Sequence, residues 1–224
     1  MGRRQQDRFG KRARREGFPA RSVYKLEEID RRVQLLKPGM NVLDLGAAPG
    51  SWTLYASQKV GKKGRIMALD LHELHSEIPP NVEFRVCDAR EQSVESLGGP
   101  FDVVLSDMAP KTMGTRSADQ YRSYELFLTA VEIASRTAKV GGSFVGKIFQ
   151  GAEFEAGREA LRKHFAKVRV LKPEAVREES YELFLVGIGR REVSLGENKP
   201  AESADPVPSD DETTDDEATD DASS

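Results

Sequence analysis

Between residues 42 and 52 the sequence reads VLDLGAAPGSW, an apolar run that breaks at Gly46 and resumes as a candidate helix after Gly50. A glycine turn between a strand and a helix lets main-chain N–H groups approach a ligand at the carboxyl edge of a sheet. Gly46 is followed by Ala47, Ala48 and Pro49, so the G-x-G-x-x-G dinucleotide fingerprint is not met, and no G-K-[ST] marks a nucleoside triphosphate site. Two acids close later apolar runs. Asp70 ends RIMALD, where a carboxylate can take the two hydroxyls of a ribose, and Asp88 follows VEFRVC, where another can accept from an adenine amino group. Either acid would serve equally as a strand-end cap. With the turn they describe a pocket for an adenosine without phosphates, and S-adenosylmethionine fits that description.

Two lysines and two further acids stand where a cleft could gather them. Lys147 lies in GSFVGKIF between Gly146 and Ile148, and an ammonium in so apolar a strand needs a partner or a task, because burying it unpaired is expensive. The alternative is a surface-facing lysine on an edge strand, which an internal fifth strand would remove. Lys25 sits in ARSVYKLEEIDRRVQLL, where Val23, Leu26, Ile29 and Val33 form one helical stripe. At roughly 100° per residue it lies about 40° from Ile29, at the border of the apolar face. Asp107 ends FDVVLSD; Glu182 opens the final strand beside Tyr181.

The elements that must position these residues are short apolar strands alternating with amphipathic helices. NVLDLG (41–46), RIMALD (65–70), VEFRVC (82–87), FDVVLSD (101–107) and GSFVGKIF (142–149) each read as a buried strand. Residues 117–139 carry Tyr124, Phe127, Leu128, Val131 and Ala134 at helical spacing, with Gly141-Gly142 predicted to close the helix. This succession implies an α/β fold with a mostly parallel sheet covered on both faces. KVRVLK (167–172) and YELFLVGIG (181–189) are joined by a short polar loop, which permits an antiparallel pair at the sheet edge. The polar stretch 109–123 reads as an RNA-facing loop or a plain connector.

Charge is divided along the chain. Residues 200–224 hold ten acids and no Lys or Arg, leaving a net charge of +7 for residues 1–199 (34 basic against 27 acidic). Eight of those basic residues fall within the first 22 positions, an arm suited to phosphate contacts or to solvation as a tail. Phe9, Phe18 and Tyr24, interleaved with arginines, could stack on unpaired bases or dock the arm on the core. The division expected is a basic arm over 1–20, a catalytic domain over 21–193 and a disordered acidic segment over 194–224, whose carboxylates would compete with RNA for the arm. The single cysteine, Cys87, excludes an internal disulfide and points to a reducing cytoplasm. Nothing resembles a signal peptide or a membrane span. His72 and His75 lack the H-E-x-x-H spacing, so no metal is expected and both are read as loop residues beside the cofactor pocket.

RSVYKLEEI (21–29), DLGAAPGSW (44–52), SDMAP (106–110) and GGSFVGKIFQG (141–151) resemble, in the family's order and spacing, the FtsJ/RrmJ (RlmE) family of ribosomal RNA large-subunit 2′-O-ribose methyltransferases. The resemblance runs from about residue 8 to 190. It implies a Rossmann-like class I methyltransferase fold, a seven-stranded sheet with an antiparallel last strand, and S-adenosylmethionine as donor. It places cofactor contacts on Gly50, Trp52, Asp70, Asp88 and Asp107, and a Lys-Asp-Lys-Glu tetrad on Lys25, Asp107, Lys147 and Glu182. Lys147, as a free amine, is expected to take the ribose 2′-OH proton. Lys25 and Glu182 would orient the ribose, and Asp107 would hold Lys147 and the methionine end of the cofactor. The expected activity is 2′-O-methylation of a uridine in large-subunit (23S) ribosomal RNA by a monomer. A transfer RNA methyltransferase, or a non-catalytic ribosome-assembly factor on the same fold, are the alternatives. Ser51 departs from the family, where a second glycine is common, and the acidic segment is a further departure.

Overall fold

The computed structural model describes residues 2–74, 77–177 and 180–192. His75 and residues 194–224, for which a loop position and disorder are expected, lie outside the described residues. In chain order the elements are α1 (Gly2–Arg15), α2 (Val23–Val33), β1 (Asn41–Leu45), α3 (Ser51–Val60), β2 (Arg65–Asp70) and β3 (Val82–Val86). They continue with α4 (Val94–Leu97), β4 (Phe101–Ser106), α5 (Arg116–Thr137), β5 (Ala138–Phe149), α6 (Phe154–His164), β6 (Phe165–Leu171) and β7 (Glu182–Arg190).

One seven-stranded sheet runs in the order β3-β2-β1-β4-β5-β7-β6. The four pairings among β1 to β5 are parallel, while β7 runs antiparallel to both β5 and β6. β5 is therefore internal, and the start of β7 lies beside the end of β5. Its direction is reversed because the short link from β6 is a plain return rather than a crossover helix.

Strand alternation divides the core between the two faces of the sheet. Val42, Val103, Leu105, Val145, Phe184 and Val186 point to the face that α2 and α3 cover with Leu26, Ile29, Trp52 and Tyr55. Leu43, Leu45, Val104, Phe144 and Leu185 point to the face covered by α5 and α6 through Phe127, Ala130 and Leu161. Val23, Leu26 and Ile29 are each 1% exposed or less. Burying such side chains contributes about 2 kcal/mol each, which fixes α2, and with it Lys25, against the sheet. Asp30 completes that docking by accepting from the Leu36 N–H at 2.8 Å and the Tyr55 hydroxyl at 2.9 Å.

Four sequence expectations need correction. β3, read as buried, is a half-buried strand at the sheet edge with Val86 54% exposed. Gly141-Gly142 does not close α5: the helix ends at Thr137, and both glycines lie within β5. There the register against β4 shifts between Phe101 and Val103, and Gly141 takes φ +80°. A Cβ on Gly142 would stand 2.9 Å from the Lys139 carbonyl oxygen, so the pair serves a tight irregularity in the strand. The polar stretch 109–123 is a connector only as far as Thr115, because α5 begins at Arg116. Residues 2–15 form a helix that packs on the core through buried Ala13, with Phe9 and Phe18 beside it. Arg12 lies over the Tyr24 ring at 4.3 Å, and Phe9 meets that ring at 5.5 Å, so these aromatics dock the helix. The Tyr24 hydroxyl, pushed up to about 12 by burial and by its bond to Glu16, stays protonated and donates to Glu16 at 2.9 Å.

Candidate active site

The glycine turn after β1 is shaped by a close approach. Gly46 takes φ +77°, and a Cβ there would stand 2.7 Å from the Met108 side chain and 3.0 Å from its main-chain nitrogen. Only glycine permits both the conformation and the contact. Gly50, at φ 106°, caps the start of α3. Beside the turn lies a cleft of about 460 Å³ whose lining includes Gly46, Ala48, Asp70, Asp88 and Asp107, a size typical of small-molecule sites. Asp70 holds the turn to the end of β2: Oδ2 accepts from the Ala48 N–H at 2.9 Å, and Oδ1 accepts from the His72 N–H at 2.8 Å. Asp88 accepts from the Arg90 main chain at 2.9 Å, and bonding to the Arg90 guanidinium and N–H holds its carboxyl below the ordinary range. Both acids thus act as strand-end caps and also face the cleft.

Gly50 and Trp52 are not part of the cleft lining. The Trp52 indole is turned toward α2 and the sheet: Nε1 donates to the Ser22 carbonyl at 2.9 Å, and the ring lies 5.7 Å from Phe184. What Trp52 can offer a ligand is main chain in the first turn of α3, where N–H groups lack helical partners, whereas the Gly50 N–H already donates to the Ala47 carbonyl at 2.7 Å. Ser51, the departure from the family pattern, is 1% exposed. Its Oγ accepts from the Ala20 N–H at 2.8 Å and donates to the Ala20 carbonyl at 3.1 Å, so the hydroxyl ties the start of α3 to the segment after α1.

The four remaining predicted residues meet as two amine–carboxylate pairs. Lys147 Nζ donates to Asp107 Oδ1 at 2.9 Å and to the Asp107 carbonyl at 2.6 Å. Lys25 Nζ donates to Glu182 Oε2 at 2.6 Å across 157 residues of sequence. The side chains of Lys147 and Lys25 are 5% and 9% exposed, so neither amine is a solvated surface charge. Phe184 stands under both: it is the β7 partner of Lys147, and the Lys25 amine lies 5.8 Å from its ring. Glu182 pairs with Phe149 in the same register, which follows from the reversed direction of β7: its first residue, not its last, reaches the carboxyl rim of the sheet. Burial acts to raise the Asp107 carboxyl, but the charges of Lys147 and Lys25 outweigh it and hold the group below the usual range. Asp107 therefore connects the cleft it lines to the amines it faces.

Sequence reasoning passed over Asp44, in the middle of β1. It is fully buried and accepts from the Thr53 hydroxyl at 2.6 Å, and its Oδ1 has no hydrogen-bond partner. Burial pushes its carboxyl up to about 7, and the Asp107 and Asp70 charges add to the effect. An acid inside a parallel strand covered on both faces was itself the signal. Among the described residues, no cluster of His, Cys, Asp and Glu could hold a metal ion, and no helix is long and apolar enough to cross a membrane.

The chain as a whole is similar to known proteins. A model of the FtsJ-like methyltransferase family matches residues 18–190. The ribosomal RNA large subunit methyltransferase E of Sorangium cellulosum is 51% identical over 187 residues, covering 83% of this chain and 88% of that protein. The Oleidesulfovibrio alaskensis protein of the same name is 50% identical over 188 residues, covering 82% and 91%. Among solved structures, a candidate ribosomal RNA methyltransferase from Plasmodium falciparum superposes with a TM-score of 0.68 at 25% identity, over 77% of this chain and 98% of that one. A SAM-dependent O-methyltransferase from Thermotoga maritima shares the fold, with a TM-score of 0.52 at 16% identity over 78% and 67% of the two chains. The Rossmann-like fold, the glycine turn and a family match spanning most of the folded region lead to one conclusion: the chain belongs to the FtsJ-like methyltransferase family.

Proposed function

We propose that the protein methylates the 2′-hydroxyl of a ribose, that of a uridine, in large-subunit (23S) ribosomal RNA, with S-adenosylmethionine as donor. The observation that carries this reading is the pair of buried amine–carboxylate contacts at the rim of an acid-lined cleft. The names of the most similar relatives supply the RNA. The cleft suits the cofactor: Gly46 lets the chain pass close, Asp70 retains acceptor capacity for a ribose, Asp88 would take an adenine amino group once the exposed Arg90 guanidinium leaves it, and Trp52 brings a main-chain N–H group to the turn. Asp107 would face the cationic methionine end.

When bound, S-adenosylmethionine supplies an electrophilic methyl group on a sulfonium. The chain's own task is to place a ribose hydroxyl and remove its proton. Lys147 is arranged for the second step. A neutral amine has two N–H bonds, and both are engaged by Asp107, which leaves the nitrogen lone pair directed elsewhere to take the 2′-OH proton. Lys25, held by Glu182, keeps a positive charge beside the hydroxyl as its oxygen becomes anionic, a field that favours the transition state. Exposed Arg8, Lys11, Arg14 and Arg15 on α1 add sequence-independent attraction for the RNA backbone.

The test is to incubate the protein with labelled S-adenosylmethionine and, separately, with purified large ribosomal subunits, free 23S RNA and transfer RNA, then to map 2′-O-methyl groups. A single mark on a large-subunit uridine is the expected outcome. A mark confined to transfer RNA would move the substrate, and cofactor binding without any mark would make the protein a non-catalytic RNA binder.

A further inference from the structure

Beyond the tetrad, one cluster at the same rim has no assigned task. Tyr181 immediately precedes Glu182 and is half-buried; the Arg116 guanidinium carbon lies 5.1 Å from its ring centroid, and the Phe149 ring meets it edge-on at 4.9 Å and 84°. The tyrosine is held from behind. Its carbonyl accepts from the Gln150 N–H at 2.8 Å, and the Gln150 carbonyl accepts from Gln120 of α5. A Cβ on Gly151 would stand 2.8 Å from the Gln120 side chain, so helix and turn are packed closely there. Arg116, by contrast, is exposed at the start of α5. A rigid aromatic ring is thus covered on one face by a long, solvated, cationic side chain that can leave it at little cost.

We propose that the face of Tyr181 now covered by Arg116 is a stacking seat for an unpaired nucleobase, with Arg116 moving onto the neighbouring phosphate. This rests on the reading of the site as a ribose methyltransferase acting on RNA. Placement supports it: Phe149 lies two strand residues beyond Lys147 and opposite Glu182, so a ribose delivered to the Lys147 amine brings its own base or the adjoining one over Tyr181. The chemistry supports it as well. Single-stranded RNA is held by stacking on aromatic rings and guanidinium planes, with basic groups tracking its backbone. A tyrosine with a fixed ring and a displaceable arginine supplies both functions at one point.

The probes are two fluorescent eight-residue strands, oligouridylate and the same ribose-phosphate chain without bases, titrated into the full-length protein with S-adenosylhomocysteine present. Wild type should prefer the base-bearing strand. Tyr181→Ala should lower affinity for oligouridylate by about tenfold, as losing one base–aromatic stack does, and leave the abasic strand unchanged. Tyr181→Trp should retain the preference. Tyr181→Leu keeps an apolar contact with Phe149 without an aromatic face, and should match the alanine variant even if alanine loosens the fold. Arg116→Gln should weaken both strands alike. If Tyr181→Leu keeps the wild-type preference, or weakens both strands equally, the seat does not exist. Binding requires no methyl transfer, so a wild type that shows base preference yet marks no RNA would overturn the functional reading alone.

Discussion

Replacing Asp44 with asparagine should alter the pH dependence of folding in a calculable way. The carboxyl is fully buried and receives one bond, from Thr53, while its other oxygen has no partner. Burial lifts its pKa from 3.8 to about 7, against the opposing pull of Thr53. A raised value means the folded state binds the proton more tightly than the unfolded chain. The group's contribution is therefore complete below about pH 4 and is lost as pH rises through about 7. At about 1.36 kcal/mol per pH unit the full loss is about 4 kcal/mol, and about 2 kcal/mol of it falls between pH 5.5 and pH 8. Asparagine does not titrate. Asp107 titrates in the opposite sense, with its carboxyl held low, but its contribution is lost on the acid side of this window and is common to both proteins. Urea unfolding of wild type and Asp44→Asn at the two pH values should thus show the stability difference moving in favour of the variant by about 2 kcal/mol from pH 5.5 to pH 8. An equal difference at both pH values would mean that Asp44 is already ionised at pH 5.5, and the argument from burial would be wrong.

Lys147→Ala and Lys147→Arg should each lower kcat on the RNA substrate by about 10² to 10⁴, the range for a lost general base, while cofactor binding by calorimetry stays near wild type. Arginine cannot act as the base, so a Lys147→Arg enzyme of near-normal rate would leave the residue a steering role only. Asp107→Asn removes the counter-charge from an amine 5% exposed. Breaking a buried pair costs about 3 to 5 kcal/mol; because Asp107 itself is part-exposed, a loss near about 3 kcal/mol by urea titration is expected. Ser51→Ala should cost about 1 to 2 kcal/mol, since it leaves the Ala20 N–H without its acceptor, and Ser51→Thr should recover little because the site is 1% exposed. Thermal unfolding of the two variants decides it.

Much of this layout is visible in the residues themselves. RIMALD is β2 residue for residue, and NVLDLG and FDVVLSD overrun β1 and β4 by one residue each, because strands covered on both faces must be largely apolar; β5, by contrast, begins four residues ahead of GSFVGKIF, and edge strand β3 is only half-buried. Lys147 could be placed inward only from its apolar flanks together with an internal fifth strand, and its partner, which lies 40 positions away, could not be placed that way. The Lys25–Glu182 contact depends on β7 reversing between β5 and β6, a tertiary event that periodicity does not encode; the short loop before β7 permits the reversal, and the family resemblance alone put the two residues in one tetrad. Gly141-Gly142 misled for a related reason: a glycine pair after an apolar periodic run ends a helix or permits a strand irregularity, and the pairing with β4 decides between them. Trp52 could equally line a ligand or pack on the sheet, and Ser22 and Phe184 determine its direction.

The distribution of charge across the rim explains why one site can hold two oppositely charged reactants. Asp44, Asp70, Asp88 and Asp107 gather around the glycine turn and the cleft, the side proposed for a cationic donor. Lys25, Lys147 and Arg116 stand where an anionic strand would enter. Asp107 and Glu182 lie between them and neutralise two of the three cations, so burying the amines does not carry the full cost of an unpaired charge. Once both reactants are present, the positive donor would lie beside Asp107 and add its field to that of the amines facing the strand. Donor binding should then strengthen the hold on an anionic strand. Under this arrangement a 2′-deoxy strand, which cannot be methylated, should bind more tightly with S-adenosylmethionine present than with S-adenosylhomocysteine, which lacks the sulfonium charge, and equal affinities would show that the two halves of the site act independently.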